Sequence, residues 1–470
     1  MSGLHQRSVS ELSELIARRE VSPVEVVGAL LDRIAAVNDK VNAIATLQAE
    51  TAIAEAKAAE ADIAGGRRRG PLHGIPIAHK DLYSTRGLRT TAGSRLKENF
   101  LPEDDATLVA RYRQAGTILL GKLNTQEFAY GPTNEHSMFG ACLNPWDLRC
   151  YAGGSSGGSA AALALGMLPA ATGTDTGGSI RIPAACCGVS GLKPTYGRLS
   201  RYGIFPLCWT MDHPGPMART VRDIAMLLQP VAGHDPNDDA TSTRPVPDYA
   251  AALDGRVAGL KIGIPERYFF DRARPDVEAA VMRAIEILSG LGVEVQSIDI
   301  PDVEHSAAAA AIIYYAEATA YHDDDLAKSG DLYTDRVRRF IEFGNFILAR
   351  DYLQAQRFRT LLGRRLAAAL KRVDFILTPT LPITATPILE PVVTIRGREQ
   401  PVYLALLRNT EPFNLAGLPA LSVPCGFGTN GLPVGLQIVG RPFDEAGVMR
   451  LGDAFQRATD WHLRRPLDRP

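Results

Sequence analysis

Cysteine is scarce in this chain, with six in 470 residues: Cys142, Cys150, Cys186, Cys187, Cys208 and Cys425. So few thiols exclude a disulfide framework, and no Cys-x-x-Cys or Cys/His spacing offers zinc ligands. Free buried thiols of a cytoplasmic protein are the reading that remains. An excess of one charge is missing as well. The 51 Lys and Arg nearly balance the 52 Asp and Glu, for a net charge of −1. That balance gives no electrostatic reason to expect nucleic acid or an anionic membrane as a partner. Long hydrophobic runs are absent too. The longest stretch of small apolar residues, Ala160 to Ala171, is too short to span a bilayer. Residues 1–20 carry scattered charges where a secretory leader would have its apolar core.

What is present suits a globular enzyme. Hydrophobic residues make up 46% and charged residues 22%, and the length allows a large core and two or three domains. Ser8 to Arg33 has apolar residues at helical spacing, and the Ala/Glu-rich segment Thr51 to Ile63 reads as an exposed helix. Ile75 to Ala78 reads as a buried strand that delivers Lys80 to its carboxyl end. A helix over Thr107 to Ala115 and a strand over Thr117 to Leu120 follow. This alternation predicts βαβ units and an α/β fold, whose ligands bind at the carboxyl ends of the strands. Gly233 to Pro247 is polar and proline-bearing, a surface connection. Beyond it the pattern predicts strands at Lys261 to Ile264, Phe375 to Leu377, Leu421 to Val423 and Val434 to Val439. A helix over Val277 to Leu291 stops at Gly292.

The chemistry concentrates in two glycine-rich loops and one lysine. The first loop is Gly153-Gly154-Ser155-Ser156-Gly157-Gly158-Ser159. The second is Gly173-Thr174-Asp175-Thr176-Gly177-Gly178-Ser179-Ile180-Arg181. Lys80 stands in His79-Lys80-Asp81, after the apolar run. A serine hydroxyl needs a base to become a nucleophile. A lysine can serve once burial has lowered its pKa. Asp81 would oppose that shift if it faced the amine, but neighbours on a strand point to opposite faces. The same alternation makes His79 a packing residue. Consecutive N–H groups at Thr176, Gly177, Gly178 and Ser179 can hold an oxyanion, and the two glycines let the backbone approach closely.

Other readings of the same residues are weaker. Gly154 to Gly158 satisfies the G-x-S-x-G elbow, which would make Ser156 the nucleophile; the later His213 and His234 lack a distinctive context. Ser190 to Lys193 satisfies S-x-x-K without the motifs that should follow it. The first loop could cradle a phosphate, but no Gly-Lys-Ser/Thr completes it. The run His322-Asp323-Asp324-Asp325 spreads around a helix and reads as a solvated face.

Three segments in this order and spacing resemble the amidase signature family of serine hydrolases. The resemblance implies an α/β/α sandwich whose large mixed, mostly parallel sheet is covered by helices on both faces. It implies one domain over 1–470: N-terminal helices at 1–65, a catalytic core at 66–232, a surface connection at 233–255, and a second half at 256–470 that completes sheet and pocket. It further implies that Ser179 attacks the carbonyl, Ser155 relays the proton, Lys80 is the base, and the Gly154–Ser155 peptide is cis. Ser156, Asp175 and Arg181 would support the site, with no metal and no cofactor. Cys187 to Thr195 also resembles the family and reads as structural.

The substrate rests on the pocket. Phe128, Ala129, Tyr130, Gly131, the Phe205 to Met211 loop with Trp209, and Tyr314 and Tyr315 are its candidates. Aromatics and alanines there suggest small hydrophobic or aryl amides, with carbamates (urethanes) and esters as further substrates. The enzyme is then expected to stand alone or as a homodimer, without nucleic acid or membrane. Asn414-Leu415-Ala416-Gly417-Leu418-Pro419-Ala420 resembles the glutamine-hydrolysing component of tRNA-dependent amidotransferases, the alternative reading. The glutamine specificity of that component uses an acid shortly before this motif, and Tyr403 to Thr410 contains none. A non-catalytic scaffold is a third reading, opposed by the intact Lys80, Ser155 and Ser179.

Overall fold

The computed structural model describes residues 3–388 and 390–466. Of the N-terminal stretch 1–20, residues 1 and 2 lie outside the described residues. Ser8 to Arg33 is two helices rather than one, Val9–Ala17 and Pro23–Val41. Ser8 and Ser22 each close a capping box, with Glu11 and Glu25, and Pro23 starts the second helix at its first turn. Helix Ala49–Ala64 is only partly exposed. Ala52, Ala56, Ala59 and Ile63 form a buried stripe, because alanine lets a helix approach its neighbours closely.

Eleven strands build one sheet. In chain order they are β1 (Ile44–Leu47), β2 (Pro76–Lys80), β3 (Ile118–Leu123), β4 (Ala170–Asp175), β5 (Ser190–Lys193), β6 (His213–Ala218), β7 (Lys261–Pro265), β8 (Glu294–Ile298), β9 (Phe375–Pro379), β10 (Ala420–Phe427) and β11 (Pro433–Val439). Their order across the sheet is β1-β3-β2-β4-β6-β5-β10-β11-β9-β7-β8. The fold is the expected α/β/α sandwich around a large mixed sheet. Parallel ladders join β3, β2 and β4 on one side and β9, β7 and β8 on the other. The centre, from β4 to β9, is antiparallel. Strands from both halves of the sequence thus share one sheet.

The register places the site. In β2 every residue is buried, as befits a strand covered on both faces. Ile77 and Ala78 of β2 pair with Ala170 and Ala171 of β4. Lys80 and Asp175 therefore end adjacent strands on one edge of the sheet. The first loop leads into helix Gly157–Ala164, which is entirely buried. A Cβ on Gly158 would come within 2.5 Å of the carbonyl oxygens of Ala43 and Asn124. Glycine is what lets this helix start against the sheet.

Candidate active site

Lys80, Ser155 and Ser179 converge, all buried. Lys80 Nζ lies 2.7 Å from Ser155 Oγ and 2.8 Å from Thr174 Oγ1. Burial drives the Lys80 amine well below its ordinary pKa, with Asp175 and Asp212 pulling weakly the other way. A neutral amine one hydrogen bond from a serine can accept that serine's proton. The Gly154–Ser155 peptide is cis. The two loops dock through Ser156, whose N–H donates to the Ser179 carbonyl at 3.2 Å. Gly178 sits at φ 136, a conformation that favours glycine. Among the described residues, no hydrogen bond occupies the N–H groups of Gly177, Gly178 or Ser179. That stretch can receive a developing oxyanion.

A pH–rate profile checks the state of Lys80. The rate should rise as Lys80 loses its proton and level off, with the half-point well below that of a free lysine. Falling pH protonates the amine and removes the base. A rate still climbing at the ordinary lysine pKa would show that Lys80 rests charged.

The supporting residues form a second layer. Arg181 and Asp175 are fully buried and paired at 2.8 Å. Burial would raise the Asp175 carboxyl, but the Arg181 guanidinium outweighs it and holds the pKa well below the usual range. Arg181 also donates to Asn414 Oδ1 and Gln437 Oε1, both at 2.6 Å. Asn414 Nδ2 donates to the Asp175 carbonyl and carboxylate at 3.0 and 2.8 Å. Residues from both halves of the chain thus clamp the loop that carries Ser179. Ser156 Oγ exchanges 3.3 Å hydrogen bonds with the Thr174 backbone, so it is occupied with the scaffold.

Asp81 faces away from Lys80. It accepts from Thr91 Oγ1 at 2.5 Å and lies 3.5 Å from Lys122 Nζ. Burial lowers the Lys122 pKa to about 8 despite this carboxylate. His79 stacks on Tyr83 and packs against a tilted Tyr112 ring, and burial depresses its pKa to about 3. His79 thus serves packing, and Asp81 serves an ion pair on the far side of the strand from Lys80. Lys193 of the S-x-x-K stretch is spent on the carbonyls of Leu418 and Pro194. His322 departs from the solvated-face expectation. Asp323 and Asp324 are exposed, but His322 is buried against Phe128 and 2.9 Å from the Tyr333 hydroxyl.

The predicted pocket residues part company. Ala129 and Trp209 line a cavity of about 240 Å³ that reaches Thr174 and Thr176, beside Lys80. Phe128 packs in the core, and Tyr130 joins a separate aromatic cluster with Tyr314, Tyr315 and Phe340. Asp212 also lines the cavity; burial pushes its pKa up to about 6, and Thr176 Oγ1 donates to it at 2.6 Å. The loop bearing Trp209 is held by Glu317, which accepts from Thr210 Oγ1 at 2.7 Å and Tyr352 Oη at 2.8 Å. No motif points to Asp212 or Glu317, because each acts through contacts distant in sequence.

One acid corrects the reading of the pocket. Glu411 follows directly after the acid-free stretch 403–410. It is buried beside the nucleophile loop: a Cβ on Gly177 would lie 3.7 Å from Glu411 Oε1. Burial lifts its carboxyl well above the usual range, with the Tyr314 hydroxyl opposing. Oε1 has no hydrogen-bond partner among the described residues. An acid does therefore stand at the site, directly after the stretch that lacks one.

A model of the Amidase family matches residues 25–449. A protein of Roseiflexus sp. (strain RS-1), named as the A subunit of glutamyl-tRNA(Gln) amidotransferase, is 46% identical over 99% of both chains. The solved structure of the same component from Thermotoga maritima is 36% identical, with a TM-score of 0.82 over 97% of this chain and 96% of that one. Another solved structure, described as a vestigial protein complex that reveals the origins of an s-triazine catabolic enzyme, is 36% identical. It superposes with a TM-score of 0.92 over 96% of this chain and 98% of that one. These full-length relatives overturn the expectation of a stand-alone hydrolase of hydrophobic or aryl amides and carbamates, free of partners and nucleic acid. Two of the three are named as components of a glutamyl-tRNA(Gln) amidotransferase. The aromatic residues behind that expectation pack largely with one another, and aromatics serve cores as readily as pockets. Matched along nearly its whole length in sequence and fold, the chain belongs to the amidase signature family.

Proposed function

We propose that this chain is the glutamine-hydrolysing component of a tRNA-dependent amidotransferase. The observation that carries the reading, beside the full-length relatives, is Glu411. A buried carboxyl with an unpaired oxygen would be left unsatisfied by an apolar acyl group. The α-ammonium of glutamine would satisfy it.

In this reading Lys80 takes the Ser155 proton as Ser155 takes that of Ser179. Ser179 Oγ attacks the side-chain amide carbon of glutamine, and the N–H groups of residues 176–179 hold the oxyanion. The C–N bond breaks, ammonia leaves with a proton returned from Lys80 through Ser155, and a γ-glutamyl ester remains on Ser179. Water hydrolyses that ester to glutamate. The ammonia passes to a partner protein that holds glutamyl-tRNA, in the cytoplasm.

Ammonia release from glutamine, measured on the chain with its partner proteins and glutamyl-tRNA, tests this. Turnover of glutamine is expected. Hydrolysis of apolar anilides, with glutamine untouched, would overturn it. Within the same reading, Glu411→Gln should lower kcat/KM for glutamine about 10–100-fold, the scale of one charge-assisted hydrogen bond. A fall borne mainly by KM identifies a substrate contact, and circular dichroism checks that the variant folds.

A further inference from the structure

The arginines of this chain are not spread evenly. Five of them, Arg267, Arg272, Arg396, Arg398 and Arg408, line one surface cavity of about 470 Å³, remote in sequence from the serine loops. Asp271 and Glu304 are the acids on its wall. Five guanidinium groups against two carboxylates leave an excess of three positive charges on the lining, in a chain whose net charge is −1. Further acids act on single arginines of the set from outside the wall: Asp299 and Glu266 on Arg267, and Glu278 on Arg396.

Several of these arginines are fixed in place. Arg408 donates to the Tyr268 carbonyl at 2.9 Å and stacks on the Tyr268 ring, 3.7 Å from its centroid. Arg396 is held by the Ala273 carbonyl at 2.9 Å and by Glu278. Arg267 pairs with Asp299 at 2.9 Å. Arg272 and Arg398, in contrast, have no ion-pair partner among the described residues. Burial lowers the pKa of Arg408, and the like charge of Arg272 adds to the shift. Arg272 and Arg398 thus stand beside paired arginines with no ion-pair partner of their own among the described residues, an arrangement that an external anion relieves.

We propose that this cavity binds a phosphate-bearing ligand. All five cations are arginine and none is lysine, and the planar guanidinium fork matches phosphate oxygens two at a time. The group count and the volume exceed what one carboxylate needs and suit two linked phosphoryl groups. The phosphates can belong to a free polyphosphate or to the backbone of an RNA. The site is independent of which amide Ser179 cleaves, and none of the five arginines touches the serine loops.

Titration calorimetry of the full chain with inorganic pyrophosphate, and separately with a short single-stranded RNA, tests the proposal. The double variant Arg272→Gln/Arg398→Gln should bind at least about 10-fold more weakly, the loss of roughly two charge-assisted contacts. Its amidase turnover should be unchanged, which shows that it folds. Raised salt should weaken wild-type binding in proportion to the phosphates neutralised. Variant-sensitive binding of pyrophosphate alone supports the site and assigns it to a free polyphosphate. Variant-sensitive binding of RNA supports it and assigns the source to RNA. No binding of either at millimolar concentration, affinity unaltered in the variant, or binding of oligoglutamate in place of both would overturn it.

Discussion

Ser179→Ala should abolish turnover, with a loss of about 10⁴-fold or more, the scale seen when a nucleophilic serine is removed from a working constellation. Ser156→Ala should keep measurable activity. The two serines are close neighbours in the site, and each stands in a glycine-rich loop, though only the loop of Ser156 matches the G-x-S-x-G elbow. Geometry separates them. Ser156 Oγ is engaged at 3.3 Å on both sides by the Thr174 backbone. Ser179 sits on the loop whose N–H groups are open. Ser155, 2.7 Å from Lys80 Nζ, stands where the proposed proton relay needs it. A single-turnover assay that traps the acyl-serine by mass spectrometry decides the matter. A label on Ser156, or activity surviving in Ser179→Ala, would reverse the assignment.

Arg181→Ala should destabilise the protein by about 3–5 kcal/mol, because removing one partner strands a buried charge. Arg181 is fully buried, and Asp175, Asn414, Gln437 and the Thr410 carbonyl all accept from it. A control makes the prediction specific. Arg149 pairs with Asp147 at the short distance of 2.7 Å, but its side chain is 85% exposed. Arg149→Ala should shift the unfolding midpoint little, as solvent-screened pairs do. Urea-unfolding midpoints of the two variants measure the contrast. Equal shifts would mean that the Asp175–Arg181 pair is not what holds the nucleophile loop.

Much of the site is legible in the sequence because its chemistry is local. Lys80 follows a continuous apolar run, and such a run in an α/β chain is a buried strand. The glycine-rich loops announce close backbone approach, and Ser155 and Ser179 stand in them. The fate of Asp81 is legible as well, since residues adjacent in an extended chain point opposite ways, and Asp81, just past the end of β2, meets Lys122 and Thr91 rather than Lys80. The burial of helix Ala49–Ala64 is less so, because an alanine stripe among glutamates reads as polar until a neighbour covers it. Glu411 is invisible for a different reason. Its place in the chain, one residue past the stretch searched for an acid, says nothing of where helix Glu411–Leu415 puts its carboxyl.

Read alone, the sequence carries the elements of the proposed chemistry: a lysine after an apolar run, two serines in tight loops, and a glycine-rich backbone able to receive an oxyanion. It also determined the α/β architecture that brings strand ends together. What surrounds that chemistry comes from contacts between distant parts of the chain. The clamp of Arg181 with Asn414 and Gln437 spans more than 230 residues of chain. The same folding buries Glu411 beside Gly177, turns His322 inward and gathers five arginines on one wall. Periodicity and motif spacing report on neighbours along the chain. Burial, pairing and local charge are set by neighbours across the fold, and these are what choose the substrate.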